Sequence, residues 1–189
     1  MNCNQGTAIA RAKRSCQVLL SIVSTCLILC CPAFASHAET FTGQVVSISD
    51  GDTIKVLREG ESQPTVVRLA SIDCPEKKQE FGREAKSYTS SLTLNKSVTV
   101  SRTGFDRNHR SIGDVVLSDG RHLGSELVRT GNAWWFEKYA PNDKELESLQ
   151  QAAKEAKLGL WNNSNPEAPW TYRMRLHNSR AKTKIDGRH

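Results

Sequence analysis

The sequence predicts an α+β domain of five strands and three helices, with the strands forming a small twisted sheet or barrel. Three observations carry this expectation. Between residues 41 and 117, short runs alternate apolar and polar residues and are broken by turn dipeptides, the period-2 signature of strands buried on one face. A stretch after residue 80 and two after residue 120 change to helical spacing. The strands come first, with helices between and after them, rather than in strand–helix–strand units.

The first two strands lie in FTGQVVSISDGDTIKVLRE, residues 41–59, where Val45, Ile48, Ile54 and Val56 alternate. Asp50-Gly51 sits between them as a hairpin signal. Residues 64–72 supply a third strand, whose apolar run is interrupted by Arg68. EFGREAKSYTSSLTLN reads as a helix, with Ala85, Tyr88 or Thr89, and Leu92 near helical spacing. KSVTVSRTG and RSIGDVVLSDG are the fourth and fifth strands, the latter ended by Ser118-Asp119-Gly120. HLGSELVRTG is a short helix stopped by Gly131. The third helix starts at a cap on Asn142 or Asp143 and runs to Gly159, with Leu146, Leu149, Ala153 and Ala156 as its stripe. Trp134, Trp135 and Phe136 are readable as base-stacking rings, but as aromatics after a helix stop they are expected, with Trp161, in the core.

Residues 1–38 have the layout of a secretory signal peptide: Arg11, Lys13 and Arg14, then an apolar run, then small residues at Ala33–Ala35 and Ser36–Ala38. The alternative is a retained anchor, since Cys16 to Ala35 approaches the roughly 20 residues of a membrane span. Gln17, the serines and Pro32 argue against it. The expected location is secreted or periplasmic, with membrane contact only through this segment if it is kept. Five of six cysteines leave with it, so Cys74 alone remains and the mature chain has no internal disulfide. Residues 39–163 form the expected domain. Residues 164–189 read as a linker and a flexible basic tail, with Arg173, Arg175, Arg180, Lys182, Lys184 and Arg188 against Asp186. The tail is a tether for a polyanion or simply a solvated end.

Two groups of residues point toward chemistry. Asp50 and Asp52 lie in the hairpin, and Asp73 and Glu76 lie at the exit of the third strand. If neighbouring strands pair, all four carboxylates approach one sheet edge. A hard cation such as Ca²⁺ takes oxygen from carboxylates, backbone carbonyls and water, so Cys74 would contribute its carbonyl rather than its soft sulfur. From spacing alone DGD is as readable as a turn. Arg68 and Arg110 suit phosphate, whose oxygens match the guanidinium fork; each is also readable as half of a structural ion pair. Walker-loop and zinc spacings and a Ser/His/Asp arrangement are absent from the sequence. His109 and His122 are expected at the surface.

SDGDTIKV, RLASIDCPE, DRNHRSIGDVVLSDG and LVRTGNAWWFEKYAP resemble, in order, the staphylococcal (thermonuclease-like) nuclease family. The resemblance covers about Gln44 to Trp161. It implies an OB-type five-stranded β-barrel with three helices, and a calcium-dependent endonuclease that cleaves DNA and RNA to leave 3′-phosphate ends. It also implies that Asp52, Asp73 and the Cys74 backbone carbonyl hold Ca²⁺ and that Glu76 acts on the attacking water. Arg68 and Arg110 would bind the phosphate and stabilise its transition state. Tyr139, Lys77 and Lys78 would contact the nucleotide. The expected partners are DNA and RNA as substrates, with no stable protein partner and a monomeric chain.

The chain departs from the pattern in three places. The loop after Glu76 is about six residues shorter than in the staphylococcal enzyme, though it keeps Lys77 and Lys78. Asn108-His109 stands where that enzyme has Tyr-Gly, and Glu137 replaces one of two nucleotide-stacking tyrosines. A second reading is an OB-type nucleic-acid-binding module without catalysis, which would have no reason to keep Asp52, Arg68, Asp73, Glu76 and Arg110 together.

Overall fold

The structure, a computed structural model, describes residues 39–186. The signal segment expected at residues 1–38 lies outside the described residues. Along the chain run β1 (Glu39–Asp50), β2 (Thr53–Arg58), β3 (Thr65–Leu69), β4 (Ile72–Asp73), α1 (Gly82–Thr93), β5 (Ser97–Phe105) and β6 (Ser111–Leu117). Then come α2 (Leu123–Arg129), β7 (Trp134–Trp135), α3 (Lys144–Glu155), a 3₁₀ turn (Gly159–Asn162) and α4 (Pro169–Asp186).

Five strands close into a barrel in the order β1-β2-β3-β6-β5. Closure depends on β1, which pairs with β5 over Glu39–Gln44 and with β2 over Gly43–Asp50. Register shifts between Val45 and Ser47 and between Ile48 and Asp50 bend it, as bulges do, so that one strand serves both neighbours. The last seam is the parallel pairing of β3 with β6, Val67 to Ser111 through Leu69 to Gly113. Strand alternation buries Val45, Ile54, Val56, Val67, Val98, Val100 and Val115 in one core. α1 contributes Ala85 and Thr89 to it, and α2 contributes Leu123, Leu127 and Val128.

The OB-type barrel is therefore present, with four helices rather than three. The fourth is the segment expected to be a linker and flexible tail. Pro169–Asp186 is helical, and it is held at its start. Pro169 is buried, and the Trp170 ring stacks on Phe136 at 5.0 Å and meets Trp134 edge-on at 5.5 Å. Trp134 in turn packs against Trp161 at 4.4 Å in a second, smaller cluster with Ala153 and Leu160. Among the described residues no helix is long and apolar enough to cross a membrane.

Three local differences from the sequence expectation shape the barrel edge. The strand expected over 64–72 is broken: Ser71 has φ 62°, and Ile72–Asp73 leave the barrel to pair with Trp134–Trp135. The connection between β1 and β2 is Gly51-Asp52, not Asp50-Gly51, with Asp50 paired to Thr53. Gly51 is needed there for room rather than for a left-handed backbone. A Cβ on it would lie 2.7 Å from the Cys74 Cβ and 2.8 Å from its Sγ. Finally, α3 stops at Glu155; Lys157 turns left-handed and the 3₁₀ turn begins at Gly159.

Candidate active site

The broken third strand sets the geometry. Arg68 leaves β3 opposite Thr53, and the bend at Ser71 swings Asp73 back beside it. Asp52 comes from the β1–β2 connection, which lies against the same place because the Leu69 N–H donates to the Asp52 carbonyl at 2.9 Å. The Cys74 N–H donates to Asp52 Oδ2 at 2.8 Å. Arg68 thus stands between two buried acids: its Nη1 pairs with Asp52, and its Nη2 donates to Asp73 Oδ1 at 2.7 Å. Burial works against charge on Arg68, but Asp52 and Asp73 outweigh it and raise its pKa.

The carboxylates are more crowded than their spacing suggested. Asp50, grouped in the sequence with the other acids of this edge but given no ligand role, points into this cluster. Its Oδ1 is buried without a partner. Burial, and then the charge of Asp52, push its carboxyl up to about 7. Burial also raises Asp73, although Arg173 and Arg68 both oppose the shift. The Cys74 thiol is buried and held well above its usual pKa, first by that burial. Its side chain is core.

Arg110 reaches the same edge from the entry of β6, the neighbour of β3. Its Nη1 lies 3.5 Å from Thr53 Oγ1, and that hydroxyl donates to Asp52 Oδ1 at 3.1 Å. The turn before β6 aims it. Asp106 accepts the N–H groups of Asn108 at 2.8 Å and Arg110 at 2.9 Å on one oxygen, and the Arg110 Nε–H at 2.7 Å on the other. His109 is exposed and sits left-handed at φ 58°, a conformation that favours glycine.

Glu76 lies on a turn built by close approach. The Glu76 N–H donates to Gln79 Oε1 at 3.0 Å, and the Gln79 N–H returns to the Glu76 carbonyl at 2.8 Å. A Cβ on Gly82 would fall 2.0 Å from that carbonyl, so only glycine lets α1 start so near. Lys77 and Lys78 are exposed on the turn, as is Glu80. Tyr139 is exposed and meets the Phe136 ring edge-on at 4.8 Å. Phe136 is anchored to the bend by its N–H on the Ser71 carbonyl at 2.8 Å.

The structure therefore gathers Arg68, Asp52, Asp73 and Glu76 at one barrel edge, with Arg110 reaching it through Thr53. Asp50 joins them, as expected of the four carboxylates, and so does one residue that the sequence placed in the tail. Arg173 donates from Nη2 to Asp73 Oδ2 at 2.7 Å, and from Nη1 to Glu76 Oε1 at 2.7 Å and Asp73 Oδ1 at 3.3 Å.

A family model for staphylococcal nuclease homologues matches residues 66–163, which spans β3 through the 3₁₀ turn and contains Arg68, Asp73, Glu76 and Arg110. The chain belongs to that family. An uncharacterized endonuclease of Escherichia coli O157:H7 is 42% identical over 134 residues, covering 70% of this chain and 85% of its own length. A second uncharacterized endonuclease, of Haemophilus influenzae, is 38% identical over 74% of this chain and 76% of its own. A micrococcal nuclease of Shigella flexneri is 36% identical over 163 residues, 81% of this chain and 90% of its own. The staphylococcal nuclease barrel thus places its edge where β1–β2, the β3–β4 bend and the β6 entry meet.

The donors at that edge fit a hard cation in kind. They are carboxylate oxygens in surplus, one of them buried and unpartnered on Asp50. Among the described residues no group of three or more acid, imidazole or thiol side chains surrounds a common point. A cation held by Asp52 and Asp73 would then draw most of its shell from backbone carbonyl and water oxygens, which Ca²⁺ accepts.

Proposed function

We propose that this member of the nuclease family is a calcium-dependent endonuclease, secreted or periplasmic, that hydrolyses DNA and RNA with little sequence preference and leaves 3′-phosphate ends. The observation that carries the reading is the convergence of Arg68, Glu76 and Arg110 on an edge already lined by Asp52 and Asp73. A binding module gains nothing from two arginines and a spare carboxylate brought to an edge that holds two buried acids.

In this reading Asp52, Asp73 and the Cys74 carbonyl hold Ca²⁺, which supplies fixed positive charge against the phosphate oxygens. Arg68 and Arg110 donate from two sides to those oxygens as negative charge builds on them. Glu76 accepts a proton from the attacking water. The new bond joins that water's oxygen to phosphorus, the bond from phosphorus to the 5′-oxygen breaks, and the leaving oxygen takes a proton from solvent. Tyr139, Lys77 and Lys78 flank the edge on exposed positions suited to base and phosphate contact. Location outside the cytoplasm rests on the leader pattern of residues 1–38.

The test uses residues 39–189 with single-stranded DNA and RNA, following acid-soluble release with Ca²⁺, with Mg²⁺ and with a calcium-selective chelator. Release that requires Ca²⁺ and collapses in Glu76→Gln is expected. Nucleic acid bound without release under any metal would leave the domain as an OB-type binding module.

A further inference from the structure

Arg173 contacts the two residues to which the proposed chemistry assigns the cation and the water. Its guanidinium lies on both oxygens of Asp73 and on one of Glu76, at 2.7 Å for the two shortest contacts. Asp73 is almost fully buried, and its remaining strong partner is Arg68 at 2.7 Å. The carboxylate has about four acceptor positions, of which three are filled by arginine N–H groups. The one open position is on Oδ2, the oxygen that Arg173 Nη2 holds, so a divalent cation bound directly to Asp73 would have to share that oxygen with the guanidinium. Water positioned by Glu76 Oε1 faces the same conflict.

The charge balance points the same way. Four carboxyl groups, Asp50, Asp52, Asp73 and Glu76, meet two guanidinium groups, Arg68 and Arg173, at this edge. Removing Arg173 leaves one guanidinium among the four carboxyl groups, an excess of negative charge that a doubly charged ion would reduce. Arg173 and such an ion fill one electrostatic role.

The helix that carries Arg173 is attached in a way that permits release. Its hold on the domain is concentrated at the start: buried Pro169, the Trp170 ring between Phe136 and Trp134, and Gln79, whose amide donates to the Glu167 carbonyl at 2.6 Å. Arg175 closes back on Glu167 with two contacts, at 2.8 and 2.9 Å. Beyond Leu176 the described side chains are exposed. The Arg173 side chain is itself 43% exposed, so water can replace the carboxylates when it leaves.

We infer that Arg173 is a further residue of the active site, a built-in competitor that holds the cation- and water-binding oxygens of Asp73 and Glu76, so that docking of the C-terminal helix and direct binding of a divalent cation exclude one another. The inference rests on the reading of Asp73 as a cation ligand. It makes the apparent affinity for the cation weaker than the intrinsic one by the ratio of all states to the undocked state.

The experiment measures Ca²⁺ affinity by calorimetry on residues 39–189 for wild type, Arg173→Gln and Trp170→Ala, with hydrogen exchange of the α4 amides recorded with and without Ca²⁺. Arg173→Gln is expected to bind Ca²⁺ about tenfold or more tightly than wild type. Trp170→Ala, which keeps the guanidinium but loosens its anchor, should shift in the same direction. Ca²⁺ should speed α4 exchange in wild type. Equal or weaker affinity in Arg173→Gln, with α4 exchange unchanged by Ca²⁺, would overturn the competition while leaving Asp73 as a cation ligand. No Ca²⁺ binding to any of the three proteins would overturn both.

Discussion

Gln79 holds the Glu76 turn from within, its Oε1 accepting the Glu76 N–H at 3.0 Å, while its Nε2 donates outward to the Glu167 carbonyl. The side chain is buried, so neither bond is easily replaced by water. Gln79→Ala should cost about 1–3 kcal/mol, the usual range for stranding buried polar partners. Because one amide ties the site to the approach of α4, the substitution should also open that helix to protease. Urea denaturation and limited proteolysis check the two effects; lost stability with an unchanged cleavage pattern would separate the turn from the helix.

Arg68 is the charge on which the buried acids depend. Breaking a buried pair from one side typically costs about 3–5 kcal/mol because the partner is left uncompensated, and here two partners are involved. Arg68→Ala should therefore destabilise the domain strongly in chelator, and Ca²⁺ should restore part of the loss by replacing the missing positive charge. Activity should fall by about 10²–10³-fold, the scale of removing one preorganised donor. Denaturation midpoints with and without Ca²⁺ test the first claim, and an equal loss under both conditions would count against a cation at this edge.

Asp106 acts on Arg110 rather than on substrate. Its two oxygens take three N–H groups from the turn, including the Arg110 Nε–H. Misplacing a reacting group by about 1 Å can cost 10²-fold, so Asp106→Ala should lower kcat about 10- to 100-fold. Asp106→Asn, which keeps an acceptor for the backbone N–H groups, should lose less. The thermal midpoint should move little, because the turn is at the surface. Matching losses of kcat and stability would make Asp106 structural.

Legibility in the sequence tracks the range of each interaction. The barrel was legible because alternation over Val45, Ile54, Val67, Val98 and Val115 reports burial residue by residue. Gly131 was legible as a helix stop, and it has φ 70°. The cap left open between two residues is Asp143, which accepts the Leu146 N–H at 3.0 Å; the stripe choice left open at Tyr88 or Thr89 falls to Thr89, which is fully buried. The bend at Ser71 was not legible, because a left-handed serine carries no composition signal and is fixed by pairing with Trp134–Trp135. Arg173 was hidden for the same reason on a larger scale. Its carboxylate partners lie 97 and 100 positions away, and α4 lacks the apolar stripe that would have announced docking. Asp50 also formed part of the turn signal, and the burial that raises its pKa exists only once the barrel edge has folded around it.

Cys74 offers a probe of the site that needs no substrate. The thiol is the one free cysteine among the described residues, fully enclosed, with Gly51 and α1 packed over it. Burial keeps it protonated, and the thiolate is the reactive form. In native protein at pH 8 it should react with a thiol reagent about 10³-fold or more slowly than in urea, at a rate set by local opening. Gly51→Ala should change both numbers together. Its new methyl would press on Cys74, a kind of overpacking that costs about 1–3 kcal/mol, and the strain falls on the β1–β2 connection that carries Asp52. Faster labelling with lower stability is expected. Unchanged labelling in a stable Gly51→Ala protein would mean that the connection yields without opening the site, and that Gly51 is not what holds Asp52 against Cys74.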